Sequence, residues 1–103
     1  MVARVAIFEG VDVEQAAATF AEADARVRPL LEALAGYRGY CDIGSDGGRV
    51  ISVVLFDSDE DADAAEQTFD EEMPKALADL FEGFAGRRVS VERYRVLNET
   101  FTA

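Results

Sequence analysis

Two periods of hydrophobic residues divide this chain into segments. Alternation with a period of two, typical of half-buried strands, runs through ARVAIFEG, residues 37–43, residues 49–56 and RRVSVERYRV. The stretches after the first and the third of these carry apolar residues at helical spacing. These residues are Val13, Ala16, Phe20, Val27, Leu31 and Leu34, and then Ala62, Ala65, Phe69, Met73, Leu77, Leu80 and Phe84. The pattern predicts the element order β-α-β-β-α-β.

Polar and special residues mark the helix ends. Asp12 offers an N-cap to the first helix, with Gln15 three residues on, and Ser58 offers one to the second. Proline removes a backbone donor and clashes with the preceding turn. We therefore expect Pro29 to bend or restart the first helix, and Pro74 to divide the second into two pieces.

This order is that of an α+β, ferredoxin-like fold, in which two helices cover one face of a four-stranded antiparallel sheet. The 103 residues are about the size of one domain, so we treat residues 1–103 as a single unit. Residues 97–103 are expected to be a flexible or partner-docked tail.

The turn SDGG sets which residues of the central hairpin share a face. If Asp46 and Gly47 form a two-residue turn, Cys41 lies opposite Ser52. Cys41 and Ser52 would then share one face of the sheet, and Asp42 would lie on the other. A change of one residue in the turn length would reverse the side of every residue in the second strand.

The face of the sheet away from the helices is too apolar to be left in water. The residues predicted to lie there are Ala6, Phe8, Tyr40, Ile51, Val53 and Leu55. Large exposed apolar faces usually mark association sites. The simplest cover is a second copy of the chain around a two-fold axis, so we expect a homodimer.

Charge and composition narrow the possible partners and location. The net charge is −11, with 21 acidic and 10 basic residues, so binding to nucleic acid is not expected. Most acids lie in DVEQAAATFAEADAR and DSDEDADAAEQTFDEE, and we interpret them as solvated helix faces with locally paired arginines. With one cysteine, no leader pattern and no long apolar run, we expect a cytoplasmic protein without membrane contact.

Four segments resemble the dimeric α/β-barrel superfamily, and within it the antibiotic-biosynthesis-monooxygenase-like domains. They are VARVAIFEG, RPLLEALAGYRGY, VVLFDSDEDA and VERYRV. The resemblance implies a homodimer whose two sheets form a barrel, with a pocket in each subunit between the sheet and its helices. Some members oxidise polycyclic aromatic substrates without metal or flavin, and others open haem.

This chain differs from these relatives at the positions of their catalytic and substrate-binding residues. The histidine, tryptophan and asparagine of haem-degrading members correspond to Met73, Phe56 and about Ala3, and the chain has no histidine or tryptophan. Haem degradation is therefore not expected. An asparagine and a tryptophan that bind substrate in aromatic-oxidising members correspond to Ser52 and Phe56. The resemblance therefore implies that Ser52, and Cys41 with it, face the helices, and that Asp42 faces away from them. No metal or organic cofactor is expected, because the acidic runs lack histidine and calcium-loop spacing.

Candidate pocket residues are Tyr37, Ser52, Phe56, Phe20, Met73 and Arg93. The phenylalanines and Met73 are equally compatible with an ordinary core. Arg93 is suited either to an acidic or enolate oxygen or to an ion pair. Cys41 is interpreted as a shielded core thiol, and no general base is evident.

Two functional hypotheses remain. One is a small homodimeric ligand-binding protein, with cofactor-independent oxidation of an aromatic or polyketide-like molecule as its reaction. The alternative is a non-catalytic interaction or stress-associated module whose cavity is filled by side chains. An open pocket of several hundred Å³ would favour the first.

Overall fold

The computed structural model describes residues 1–80 and 86–100, and the element order predicted from the sequence is confirmed. The strands are β1 (Val2–Glu9), β2 (Tyr37–Gly44), β3 (Val50–Phe56) and β4 (Arg87–Arg95). The helices are α1 (Val13–Glu32), α2 (Asp59–Ala64) and α3 (Met73–Leu77), with a π-helical turn at Thr68–Glu72 between the last two. The prediction for Phe84 lies outside the described residues.

The four strands form one antiparallel sheet in the order β2-β3-β1-β4. The helices pack on one face of it, where Val54 and Phe56 of the sheet meet Val27 and Leu31 of α1 in the main core cluster. A second cluster, around Val50, lies at the other end of β3. The ferredoxin-like fold is therefore confirmed.

The helix signals were correct at three of four positions. The Asp12 carboxylate accepts a hydrogen bond from the Gln15 backbone N–H at 3.1 Å, and the Ser58 hydroxyl accepts one from the Asp61 N–H at 3.2 Å. Pro74 follows the π-helical turn, near the start of α3, and so falls where the second helical region divides. Pro29 does not restart α1, which continues through it to Glu32.

The hairpin between β2 and β3 has a three-residue turn rather than the predicted two-residue one. The Ser45 N–H donates to the Arg49 carbonyl at 2.8 Å, and Asp46, Gly47 and Gly48 lie between them. Gly48 has φ +88°, which fits a type I turn followed by a left-handed glycine. This extra residue changes the side on which most of β2 presents its side chains.

The register that follows from this turn corrects three predictions. Asp42 pairs with Ser52 and Tyr40 with Val54, so Asp42 and Tyr40 face the helices. Cys41 pairs with Val53 on the opposite face and is exposed, not shielded. Tyr37 nevertheless pairs with Phe56, as the two-residue turn would also require, because an irregularity between Tyr37 and Gly39 shifts the register back.

The sides of β1 are also reversed from the prediction. Ala6 pairs with Ser52 and Phe8 with Val50, so both lie under the helices and not on the open face. Their places there are taken by Val5 and Ile7, which pair with Val53 and Ile51. Arg4 explains why β1 turns this side to the helices. It lies on the same side as Ala6 and Phe8, and there its guanidinium reaches Glu66 of the second helical region.

The open face of the sheet remains apolar after this correction. Ile51, Val53 and Leu55 lie on it as predicted, beside Val5 and Ile7, and all five are half-buried within the single chain. The described helices all lie on the other face, so nothing described in this chain covers these residues.

Candidate functional site

A cavity of about 680 Å³ lies between the sheet and the helices. The sheet contributes its floor and the helical regions its roof. Floor residues are Arg4, Ala6, Phe8, Tyr40, Asp42, Val50, Ser52, Val54 and Arg88. Roof residues are Ala16, Phe20, Ala23, Asp24, Val27, Leu31, Phe69, Asp70, Met73, Pro74, Leu77 and Ala78, and Val11 adds to one end.

Small side chains on facing surfaces account for the open volume. In the middle of the floor, Ala6 and Ser52 are register partners on adjacent strands. On the roof, Ala16 and Ala23 are the buried inward residues of α1 on this stretch. Because these four side chains are small, they leave open space that a larger side chain would fill in an ordinary core.

One polar pair stands on the cavity floor. The Ser52 hydroxyl donates a hydrogen bond of 2.5 Å to Oδ1 of Asp42. Burial raises the pKa of the Asp42 carboxyl, the hydrogen bond from Ser52 opposes this rise, and the nearby negative charge of Asp24 adds to it. Asp42 stays partly accessible on edge strand β2, so the pair lies where the cavity meets solvent.

Arg4 is the buried cation of the cavity, with 3% of its surface exposed. Its Nε and Nη2 donate to the Glu66 carboxylate at 3.0 and 3.4 Å, and its guanidinium lies 4.0 Å above the Phe69 ring centroid. Within residues 1–80 and 86–100, no hydrogen bond involves Nη1. That nitrogen is the donor which Arg4, as a lining residue, has left for a ligand oxygen.

Further ion pairs connect the sheet to the second helical region. Arg88 on β4 pairs with Asp70 at 3.3 Å beside the cavity. Arg93, also on β4, pairs with Asp59 at 3.1 Å and with Asp63 at 3.0 Å, outside the cavity. The interpretation of the acids as helix faces with locally paired arginines therefore holds for this helix.

The predicted pocket residues fall into two groups. Ser52, Phe20 and Met73 line the cavity. Phe56, at 0% exposure, is instead part of the main core cluster. Tyr37 packs at the edge of that cluster, where partial burial raises the pKa of its hydroxyl, and it does not line the cavity. Arg93 is held in its surface ion pairs.

The sequence interpretation missed the polar groups that do line the cavity. A two-residue turn, as predicted from the sequence, places Asp42 and Tyr40 on the open face of the sheet instead. The second glycine of SDGG was the available signal, since a glycine at the last turn position favours a three-residue loop. Arg4 was not considered a pocket residue, although a lone charge in an apolar strand indicates a buried partner.

The described residues hold neither a cluster of metal ligands nor a membrane-spanning helix. Across the described part of the chain, no three Cys, Asp or Glu side chains are grouped so that they could hold a metal ion. No helix in residues 1–80 and 86–100 has both the length and the apolar character needed to cross a membrane.

Several solved structures share this fold. A Bordetella bronchiseptica protein, provisionally named an antibiotic biosynthesis monooxygenase, matches with a TM-score of 0.66 and 19% identity, over 94% of this chain and 97% of that one. Rv0793 from Mycobacterium tuberculosis is 27% identical, with a TM-score of 0.59 over 97% and 98% of the two chains. A dimeric ferredoxin-like protein from an uncultured marine organism is 15% identical, with a TM-score of 0.65 over 99% and 100%.

No family model matches the chain, and neither does any curated protein sequence. The structural matches span nearly the whole chain and include proteins provisionally named as antibiotic biosynthesis monooxygenases. The resemblance to antibiotic-biosynthesis-monooxygenase-like domains is thereby confirmed at the level of the fold.

Proposed function

We propose that the protein is a homodimer that binds a polycyclic aromatic small molecule in the cavity of each subunit. The observation that carries this proposal is the cavity itself, whose volume of about 680 Å³ lies in the range of small-molecule sites. Its lining is mostly aliphatic and aromatic, with a few polar groups on the floor. Such a surface suits a flat apolar molecule that carries one or two oxygen atoms.

Oxidation of that molecule by dioxygen, without a bound cofactor, is the reaction that the resemblance suggests. For an aryl methylene such as that of anthrone, two C–H bonds break and one oxygen atom becomes a carbonyl. The other oxygen atom leaves as water, which balances the reaction. The cavity would exclude water and orient the molecule, while Arg4 Nη1 would stabilise the enolate oxygen formed on proton loss.

The alternative hypothesis of a non-catalytic module requires a filled cavity. The open volume favours ligand binding over that alternative. A non-catalytic carrier with the same cavity differs only in lacking turnover, which an assay of oxygen consumption distinguishes.

The dimer is supported by the uncovered apolar face and by a structural neighbour named as dimeric. A cytoplasmic location belongs to the same proposal. Cys41, the single cysteine, is exposed, and a reducing compartment would keep its thiol from pairing with that of another chain.

Filling the cavity tests the binding site. Ala23 is 4% exposed and lines the roof, whereas Ala25 lies on the exposed face of the same helix. We expect Ala23→Phe to weaken naphthalene binding at least about tenfold, because its ring occupies the ligand volume. Ala25→Phe makes the same change in helix propensity and should leave binding unaltered. Isothermal titration and the ligand's fluorescence measure both.

The reaction is tested separately with anthrone in an oxygen electrode. We expect one dioxygen consumed per anthraquinone formed, at a rate above the uncatalysed one, with Ala23→Phe slower than Ala25→Phe. Naphthalene binding without enhanced oxygen consumption would reduce the proposal to a carrier. Absence of binding, or equal binding by both variants, would contradict the assignment of the cavity.

A further inference from the structure

The polar pair on the cavity floor has capacity for one more hydrogen bond. The register places Asp42 of β2 directly beside Ser52 of β3, and the serine hydroxyl occupies Oδ1 of the carboxylate at 2.5 Å. Within the described residues, no other hydrogen bond to the Asp42 side chain is present. A carboxylate has about four acceptor positions, so Oδ2 is available to a donor that enters the cavity.

The charges around Asp42 do not neutralise it. In the part of the chain that the structure describes, no arginine or lysine forms an ion pair with Asp42. The charged group that acts on it is Asp24 of α1, which is itself paired with Arg28 at 2.8 Å. A neutral O–H or N–H group at this place would meet a strong acceptor, whereas an anion would meet a carboxylate that no described arginine or lysine pairs with.

We propose that Asp42, oriented by Ser52, accepts a hydrogen bond from an O–H or N–H group of the ligand and thereby sets the specificity of the cavity. Neutral aromatic molecules that carry such a donor are selected over aromatic carboxylates. The proposal rests on the proposed function, since it requires an aromatic molecule in the cavity. It adds the polar group that the molecule must carry and the residue that recognises it.

Three probes that share one ring system test the assignment: naphthalene, 2-naphthol and 2-naphthoate. Each is titrated into the wild-type protein at about pH 7, where 2-naphthoate is ionised and 2-naphthol is neutral. We expect 2-naphthol to bind about tenfold more tightly than naphthalene, as a hydrogen bond to a charged acceptor gives. We expect 2-naphthoate to bind about tenfold more weakly than 2-naphthol, because its carboxylate has no proton to donate and its charge meets that of Asp42.

Two variants test whether Asp42 causes the preference for 2-naphthol. Asp42→Asn removes the charge, so it should reduce the preference for naphthol over naphthalene to about twofold and bring the affinity for naphthoate close to that for naphthol. Circular dichroism checks that the variant is folded, and its own naphthalene affinity is the reference for the comparison. Asp46→Asn makes the same substitution at the exposed tip of the hairpin turn and should alter none of the three affinities.

The outcomes separate the two proposals. Naphthalene binding with no preference between naphthol and naphthoate in the wild type would overturn the role of Asp42 and leave the binding site standing. So would preferences that persist in Asp42→Asn. If none of the three probes binds the wild type, the proposed function fails and this specificity fails with it.

Discussion

At the scale of single residues, Arg4 shows how a charge becomes tolerable inside this fold. A buried ion must be paired and hydrogen-bonded, because its desolvation costs several kcal/mol. Glu66 supplies a two-point contact through Nε and Nη2, and the ring of Phe69 supplies an electron-rich surface below the guanidinium. The arginine side chain is 4% exposed and the glutamate 35%, so the arginine bears most of the desolvation.

Removing Glu66 should therefore cost more than removing an acid from an exposed pair. We expect Glu66→Ala to lower the free energy of unfolding by about 2 kcal/mol, because Arg4 is left buried without its counter-charge. Glu22→Ala breaks an exposed glutamate–arginine pair within α1 and should cost less than about 0.5 kcal/mol. Urea unfolding followed by circular dichroism compares the two. Equal losses would show that the Arg4 pair contributes no more than a surface contact.

At the scale of elements, the length of one turn decides which residues meet the ligand. A strand presents alternate residues to opposite faces, so a single extra turn residue transfers Asp42 from the open face to the cavity. The turn also touches its surroundings, because the Gly48 carbonyl accepts the Val11 backbone N–H at 3.0 Å. The hairpin is thereby attached to the loop between β1 and α1.

The two glycines of the turn should differ sharply in their tolerance of a side chain. Gly48 has φ +88°, and a Cβ there would lie 3.0 Å from the Val11 carbonyl oxygen. We expect Gly48→Ala to cost about 1 to 3 kcal/mol in the free energy of unfolding. A Cβ on Gly47 would meet only Ser45 Oγ at 3.8 Å, so Gly47→Ala should stay within about 0.5 kcal/mol. If Gly47→Ala were the more harmful change, the three-residue turn would be wrong.

The same reasoning explains which features the sequence could predict. Element order, caps and the main core follow from periodicity that extends over many residues, as with Ala62, Ala65 and Phe69 on one helical stripe. The side on which Asp42 or Ala6 lies depends on one residue of turn length or on the partner of Arg4. The alternation of apolar and polar residues cannot determine either feature. Whichever side β1 turns to the helices, it presents apolar residues on both faces of the sheet.

Ion pairs between elements were partly predictable from spacing. Asp59, Asp63, Glu66 and Asp70 are separated by four, three and four residues, which places them on one side of a helical segment. Each of them pairs with an arginine of β1 or β4. The spacing identifies the stripe, but which strand faces it follows only from the assembled sheet.

At the scale of the whole molecule, the distribution of charge suits association through the sheet. The net charge of −11 would oppose the approach of two copies at low ionic strength. However, the acids are concentrated on the helices, and the centre of the open face is formed by Val5, Ile7, Ile51, Val53 and Leu55. We therefore expect a dimer that is held by apolar contact and strengthened by salt, which screens the repulsion between helices.

Charge placed in the centre of that face should separate the subunits. Val53 lies on central strand β3, beside Val5 of β1 and Cys41 of β2. Because a two-fold axis repeats every substitution, Val53→Glu would bury two carboxylates in one apolar interface. The desolvation of each would cost several kcal/mol and would oppose the apolar contact that holds the two sheets together. We expect wild type to sediment as a dimer at micromolar concentration and Val53→Glu as a monomer.

Ala25→Glu provides the control, since it adds the same charge on the exposed face of α1 and should leave the dimer intact. Circular dichroism of Val53→Glu distinguishes a folded monomer from an unfolded chain. The naphthalene titration then shows whether the cavity, which is formed within one subunit, survives dissociation. A wild-type protein that sediments as a stable monomer would contradict the dimer, and the exposed apolar face would then require a different partner.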